Sequence, residues 1–435
     1  MRWPVVIVGG GVAGLRAAIT FSRRQIPFLL LEATQSPGGR VQSTFTRAHS
    51  NGSGVFCLDR GFQVLQPSYN ELRHPDLDLG RTNSPLELKY FYPGARVFFD
   101  GKFHALADPW RHPISALASV FGPIGTLSDK VRVGLLQQHI LSLGDAVWSG
   151  PKQTTIEYLQ DWGFSPNLIE RFFRPFLGGV FLEDALGTPA SFFRFVFQNF
   201  AKSPVAVPRF GIGALTRELV QRLPVSSIRL GSEVQSFQEI SGGFALGLAS
   251  GESIETGNIL WATEAGPSQK VVGRYISGTG KSQANLESYY HEARALWFAS
   301  PKIESTGPVL FLDGERRGQI NHAAVMSEVS PDYAPPGMSL IALNTLSMTA
   351  TTESILSHAV DWFGPGVKDW RLLGEDRIRN ALPLNFPGPN ESDSLATTDR
   401  RIFLAGDYTT HPSLEGALLS GRRAAERIVA QITGD

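Results

Sequence analysis

The chain opens on an uninterrupted apolar run, Val5–Val8, breaks into glycines, and then places Leu15, Ala18, Ile19 and Ser22 on one helical face. A short apolar run bounded by turn residues reads as a buried strand, and recurrence at three and four residues reads as a helix, here over Gly14–Arg24. A second apolar run, Pro27–Glu32, follows at once, so the opening segment is a β-α-β unit with a short crossover, the start of a doubly wound sheet. Strand-like runs return at Ser227–Leu230, Gly243–Leu248 and Asn258–Ala262, and Arg401–Ala405 feeds a helix over Leu414–Gln431. Between these, residues 105–205 read as mostly helical. There Thr154-x-x-Glu157 is a capping box for a helix through Trp162, with Gly163 placed to stop it. From 285 to 345, strands separated by Pro and Gly turns predict a second, antiparallel sheet.

At 435 residues the chain exceeds one hydrophobic core, so a cofactor domain plus a substrate domain is expected. Lys plus Arg total 40 and Asp plus Glu total 40, which leaves no positive excess for a phosphate backbone and excludes nucleic acid as an expected partner. The single cysteine, Cys57, forms no intrachain disulfide and reads as a small buried apolar residue, in agreement with a reducing compartment. Glycines follow Pro4–Val8 directly and no small-residue cleavage site does, which argues against a signal peptide and gives a cytoplasmic expectation. No run approaches the roughly 20 apolar residues of a spanning helix. Pro113–Leu127 comes nearest; it reads as a buried loop and helix, with peripheral contact to a membrane surface or a pocket lining as alternatives.

Gly9-x-Gly11-x-x-Gly14 lies between a strand and a helix, and Glu32 ends the next strand eighteen residues beyond Gly14. In that context the glycines form a dinucleotide fingerprint. Gly9 makes the tight turn, Gly11 lets the backbone approach a pyrophosphate, Gly14 allows close helix packing, and Glu32 accepts from the adenosine ribose. The fingerprint alone fits NAD and FAD equally.

Four further segments separate the two: Gly38-Gly39-Arg40, Asp59-Arg60-Gly61-Phe62, Leu404-Ala405-Gly406-Asp407-Tyr408, and Leu414-Glu415-Gly416-Ala417 running on to Gly421. Together they resemble the flavin amine oxidase superfamily, which includes monoamine oxidases, protoporphyrinogen oxidases and plant-type phytoene desaturases. The resemblance implies FAD. It sets Arg40, in the turn with Gly39, against the FAD diphosphate, where a fork of donors suits phosphate oxygens. It passes Gly61 and Phe62 near the flavin and sets Val234 at a strand whose backbone contacts the adenine. Gly406 and Asp407 would hold the ribityl or phosphate region, and the backbone amides of Glu415, Gly416 and Ala417 would face the reduced isoalloxazine. Asp59 reads equally well as a turn former. Phe173–Phe181 (FRPFLGGVF) is similar to the PF-x-x-GV stretch of protoporphyrinogen oxidases and phytoene desaturases. Phe210–Leu215 is similar to their GG-x-x-x-L element, with Phe210 in place of the first glycine. No cysteine stands where the family attaches FAD covalently, so the cofactor is expected to be non-covalent.

Residues 164–200 are dense in phenylalanine: Phe164, Phe172, Phe173, Phe176, Phe181, Phe192, Phe193, Phe195, Phe197 and Phe200. They read as a helical core or as an apolar tunnel toward the flavin. Arg171, Arg174 and Arg194 read as solvated, with guidance of an acidic group or a lipid headgroup as the alternative. His322 and His411 are the histidines of interest, His411 reading as a solvated loop residue or one approaching the flavin. No nucleophile–base pair, metal cluster or CxxC is present, and flavin accepts hydride without a protein acid or base, so no catalytic side chain is assigned.

These readings combine into an α/β fold. A Rossmann-like FAD-binding domain comprises 1–90, 205–265 and 375–435, and a second α+β substrate domain is inserted discontinuously as 91–204 and 266–374. The expected function is removal of hydride or two electrons from a small, hydrophobic organic molecule, in the manner of a desaturase or protoporphyrinogen oxidase, with oxygen or a quinone as electron acceptor. Oxidation of an amine C–N bond is the alternative. A flavin-dependent isomerase and a flavin-bearing binding protein are more distant ones.

Overall fold

The computed structural model of the protein describes residues 2–47, 54–81, 83–107, 123–266, 272–273, 290–384, 386–389 and 397–434. Most of the apolar stretch expected at Pro113–Leu127 lies outside the described residues.

Strand β1 (Arg2–Val8) runs parallel between β2 (Phe28–Leu31) and β12 (Ser253–Trp261). Strands covered on both faces read as continuous apolar runs, which is why Val5–Val8 and Phe28–Leu31 lack alternation and are all buried. β9 (Ile228–Arg229) extends the sheet beyond β2. On the other side β12 is shared: its first half pairs antiparallel with β11 (Gly243–Leu248), which pairs with β10 (Val234–Ile240), and its last three residues pair in parallel with β18 (Ile402–Leu404). Helix α1 (Val12–Arg23) returns the chain from β1 to β2 and begins two residues earlier than the periodicity predicts. The C-terminal helix Leu414–Thr433 lies against it. Gly421 permits this contact, since a Cβ there would sit 2.0 Å from the Ala13 carbonyl oxygen.

Seven strands form the second sheet, in the order β17 (Arg371–Pro383), β13 (Tyr290–Pro301), β16 (Met338–Thr345), β15 (His322–Val325), β14 (Leu310–Asp313), β6 (Gly94–Phe99) and β7 (Lys102–Ala107). All pairs are antiparallel except β14 with β6. Side chains alternate across this sheet. Leu296 and Phe298 pack toward Ile355, Ala359 and Trp362 of helix Thr352–Phe363, while Trp297 and Ala299 pack on the opposite face against the hairpin of β3 (Ser43–Arg47) and β4 (Val55–Asp59), through Phe56 and Leu58. Strand β17 continues this sheet to Pro383, so the boundary expected at 375 falls inside one of its strands.

Four helical segments form a third layer: Leu127–Ser142, Thr155–Asp161, the run Pro166–Phe181 with a π turn at Ile169–Phe173, and Ala190–Lys202. The expected capping box is present. The Thr154 amide donates to Glu157 Oε2 at 2.8 Å, the Glu157 amide returns a bond to Thr154 Oγ1, and Gly163 ends the turn at φ +74°. The short pair β5 (Lys89–Tyr90) and β8 (Ala206–Val207) ties this layer to the rest.

Candidate cofactor and substrate cavity

A cavity of about 1300 Å³ lies between the two sheets and the helical layer. Sites for one small ligand run to roughly 300–1,000 Å³, so the volume suits a cofactor together with a substrate.

Its first end is built from backbone. Gly9, at φ +108°, leaves β1 with its amide bonded to the Leu31 carbonyl at 2.8 Å. A Cβ at Gly14 would stand 2.0 Å from the Gly9 carbonyl oxygen, so Gly14 is what lets α1 start this close to the strand. At Gly11 an added Cβ would meet nothing within 4 Å, because the position opens into the cavity. No side chain caps α1, leaving the positive end of the helix for an anion. Gly38 bonds Gly10 at 2.8 Å, laying the Gly38-Gly39-Arg40 turn beside the fingerprint. Glu32 is buried and already organised: Oε2 accepts from the Gly10 amide at 2.7 Å, and Oε1 accepts from the Thr34 amide and hydroxyl.

Arg40 and Asp407, distant in sequence, form an ion pair at 2.8 Å, and Arg40 Nη1 also donates to the Ala381 carbonyl at 2.7 Å. Burial lowers the Arg40 pKa, but Asp407 and Glu264 more than offset it and hold the group above its ordinary value. The fork therefore stays charged, clamping β17 to the C-terminal motif on the cavity wall. The Gly61 amide, at φ +75°, donates to Asp376 at 3.0 Å, which aims the neighbouring Phe62 into the cavity region.

The expected site residues Gly9, Gly11, Glu32, Gly39, Arg40, Gly61, Phe62, Val234, Gly406, Asp407 and Ala417 all line this one cavity. Gly14, Glu415 and Gly416 do not. Glu415 instead accepts from the Glu71 amide at 3.0 Å, and burial pushes its carboxyl up to about 7. The Gly416 amide is taken by Ser413 Oγ at 3.0 Å and the Ala417 amide by the Ser413 carbonyl at 2.9 Å, so these two donors cap their own helix rather than face a ring system. Gly416 is a packing glycine: a Cβ would lie 2.0 Å from the His411 carbonyl oxygen. Asp59 is a buried hub, accepting from Ser43 Oγ, the Ile212 amide and the Tyr333 hydroxyl, and burial pushes it up to about 6 against those bonds.

The far end is built from side chains. Phe172, Phe176, Phe192, Phe197 and Phe200 line it with Leu106, Val133, Leu168 and Leu310. Phe164, Phe173, Phe181, Phe193 and Phe195 sit in the buried cluster behind them, so the phenylalanine segment is both core and wall. The three arginines of this segment lie off the cavity. Arg194 is buried, donating to the Val147 carbonyl at 2.9 Å, Arg174 pairs with Glu170 at 2.8 Å, and Arg171 covers the Phe99 ring. His411 is neither solvated nor a cavity residue: it is buried between Trp148 and Phe195, and burial together with the Arg423 charge lowers it to about 3. His322 does line the cavity. The polar residues Gln66, Lys130 and Gln137 also line it and escaped the sequence reading. For Lys130, Val133 and Gln137 a signal existed, since spacings of three and four put them on one helix face.

This cradle fits FAD: a side-chain-free glycine turn, an uncapped helix start for the diphosphate, a carboxylate for the ribose, and room beyond for a ring system and substrate. A family model of flavin-containing amine oxidoreductases matches residues 12–429. No curated protein sequence matches significantly. Among solved structures, the chain is similar to an oxidoreductase from Methanosarcina mazei (16% identity, TM-score 0.72, 98% of this chain and 100% of that one). It is similar to cyclohexylamine oxidase from Brevibacterium oxydans (15%, 0.67, 100% of both) and to a reduced UDP-galactopyranose mutase (14%, 0.64, 100% and 96%). At these identities the structures share the fold. Because the family model spans nearly the whole chain, with its cofactor cradle intact, the protein belongs to the flavin-containing amine oxidoreductase family and takes FAD as its cofactor.

Proposed function

We propose that the protein oxidises an apolar organic substrate, taking two electrons as hydride from a molecule held at the phenylalanine-lined end of the cavity. Bound FAD supplies the hydride acceptor, and oxygen or a quinone takes the electrons on. The chain's own residues position and dry the reactants. Gly9, Gly11 and the start of α1 hold the diphosphate, Glu32 the ribose, and Phe62 lines the cavity against the His322 ring. The phenylalanine wall excludes water and orients an apolar skeleton by shape.

One observation carries the choice of substrate class. The carboxylates lining the cavity among the described residues are Glu32, Glu233, Glu264 and Asp407, and all belong to segments of the nucleotide end. A protonated amine desolvated among the phenylalanines would have no carboxylate of the described residues to pair with, whereas a polyene or porphyrinogen needs none. Anaerobic addition of polyenes and porphyrinogens should bleach the flavin band, with amines inert. Bleaching by amines alone would overturn the proposal in favour of C–N oxidation, and turnover only after prior reduction would point to an isomerase.

A further inference from the structure

One buried side chain on the cavity wall, His322, carries an N–H that no group among the described residues uses. Asn321 Nδ2 donates to the Pro175 carbonyl at 2.9 Å, which fixes the orientation of its amide, and the same nitrogen lies 3.0 Å from His322 Nδ1. His322 Nδ1 must therefore accept. Burial lowers this imidazole to about 4, so it is neutral at physiological pH and carries its proton on Nε2. Among the described residues Nε2 has no hydrogen-bond partner. The ring is held in place from two sides: Phe62 packs edge-on with centroids 5.1 Å apart, and a Cβ on Gly179 would come within 2.7 Å of Nδ1. His322 lines the cavity from β15, on a segment that adjoins the phenylalanine wall.

Buried donors are nearly always satisfied, so an unused donor facing a ligand cavity describes the ligand. We infer that His322 is a specificity-determining residue whose Nε2–H donates to an acceptor atom of the substrate, which is thus an apolar skeleton bearing a carbonyl or carboxylate oxygen. This deepens the apolar-substrate proposal and rests on it. An ammonium group has no lone pair to offer this donor, whereas a carboxylate offers several.

The test uses the FAD-loaded protein and three probes of one chain length: a conjugated polyene carboxylate, the corresponding hydrocarbon and the corresponding amine. Binding is read from perturbation of the flavin spectrum. The carboxylate should bind roughly tenfold or more tightly than the hydrocarbon, the worth of one charge-assisted hydrogen bond. His322→Leu should erase most of that preference while FAD content stays unchanged. His322→Gln, which keeps an N–H donor, should retain part of the preference, which guards against a variant that merely fails to fold. An undiminished preference in His322→Leu overturns the inference, as does loss of FAD in that variant, which would assign this donor to the cofactor. If the hydrocarbon binds with no carboxylate preference, only this inference fails. If the amine alone binds, the apolar-substrate proposal fails with it.

Discussion

The nucleotide end and the phenylalanine end of the cavity are shaped by opposite means. At the first, shape comes from what is missing: Gly9, Gly11, Gly14, Gly38 and Gly39 have no side chains, and the wall is backbone held by backbone and by Glu32. At the second, shape comes from bulk, five phenylalanines backed by five more in the cluster behind them. Backbone walls place donors at fixed positions and tolerate almost no substitution. Side-chain walls are set by packing density, so they tolerate exchange as long as volume is kept. Mutation should therefore separate cofactor binding from substrate selection along this line.

The largest expected effect lies in the cluster behind the wall. Phe173→Ala removes a fully buried ring and should cost about 3–5 kcal/mol of stability by denaturant unfolding. A cost under about 1 kcal/mol would mean that the wall is not supported from behind. Next, Gly11→Val should fold, because its side chain enters open space, yet weaken FAD by on the order of 100-fold through overpacking in the cradle. A yellow protein with normal flavin content would break the comparison at its nucleotide end. Arg40→Ala removes the pair with Asp407 and should weaken FAD by roughly 10- to 100-fold, with Arg40→Lys intermediate, since it keeps the charge and loses the fork. Phe200→Ala, on the wall itself, should keep FAD and raise KM for an apolar substrate by roughly 10-fold. Equal loss of FAD in that variant would show that the two ends are not separable.

A further contrast is a dependence on pH with opposite signs in two places. Burial, then the charge of Arg423, depresses His411 from 6.5 to about 3, so the unfolded chain takes up a proton that the folded one refuses. The stability this group contributes is complete above about pH 6.5 and falls as pH drops toward about 3, at no more than about 1.4 kcal/mol per pH unit. Burial raises Glu415 from 4.5 to about 7, so its contribution runs the other way: the folded state binds its proton first, and stability is lost as pH rises from about 4.5 through about 7. Denaturant midpoints across this range should lose part of their acid-side slope in His411→Phe and part of their opposite slope in Glu415→Gln. Parallel profiles for the variants and the parent protein would contradict both assignments.

The β-α-β start, the capping box at Thr154 and the last strand and helix were legible because each is specified by neighbours within a few residues. The same holds for Gly9, Gly11 and Glu32, whose positions follow from one turn and one crossover. Glu415 and Gly416 were harder. The motif placed them correctly at the start of the last helix, but Ser413 had claimed two amides there and the Glu71 backbone had claimed the carboxylate. His411 read as a solvated loop residue because nothing nearby in the sequence announces Trp148 and Phe195 as its neighbours.

The sequence by itself determined a dinucleotide cradle, since a dinucleotide is gripped by short contiguous segments whose glycines, carboxylate and helix start must stand at fixed spacing, and the resemblance carried by four further segments chose FAD. Which phenylalanines became wall and which became core, which arginines were spent on carbonyls and carboxylates, and which N–H groups were left facing the cavity were decided only by the tertiary structure. In composition a buried ring and a cavity-lining ring are identical. They differ in what the opposite side of the fold fails to fill, and that space is enclosed by residues as far apart as Gln66, Phe176 and His322.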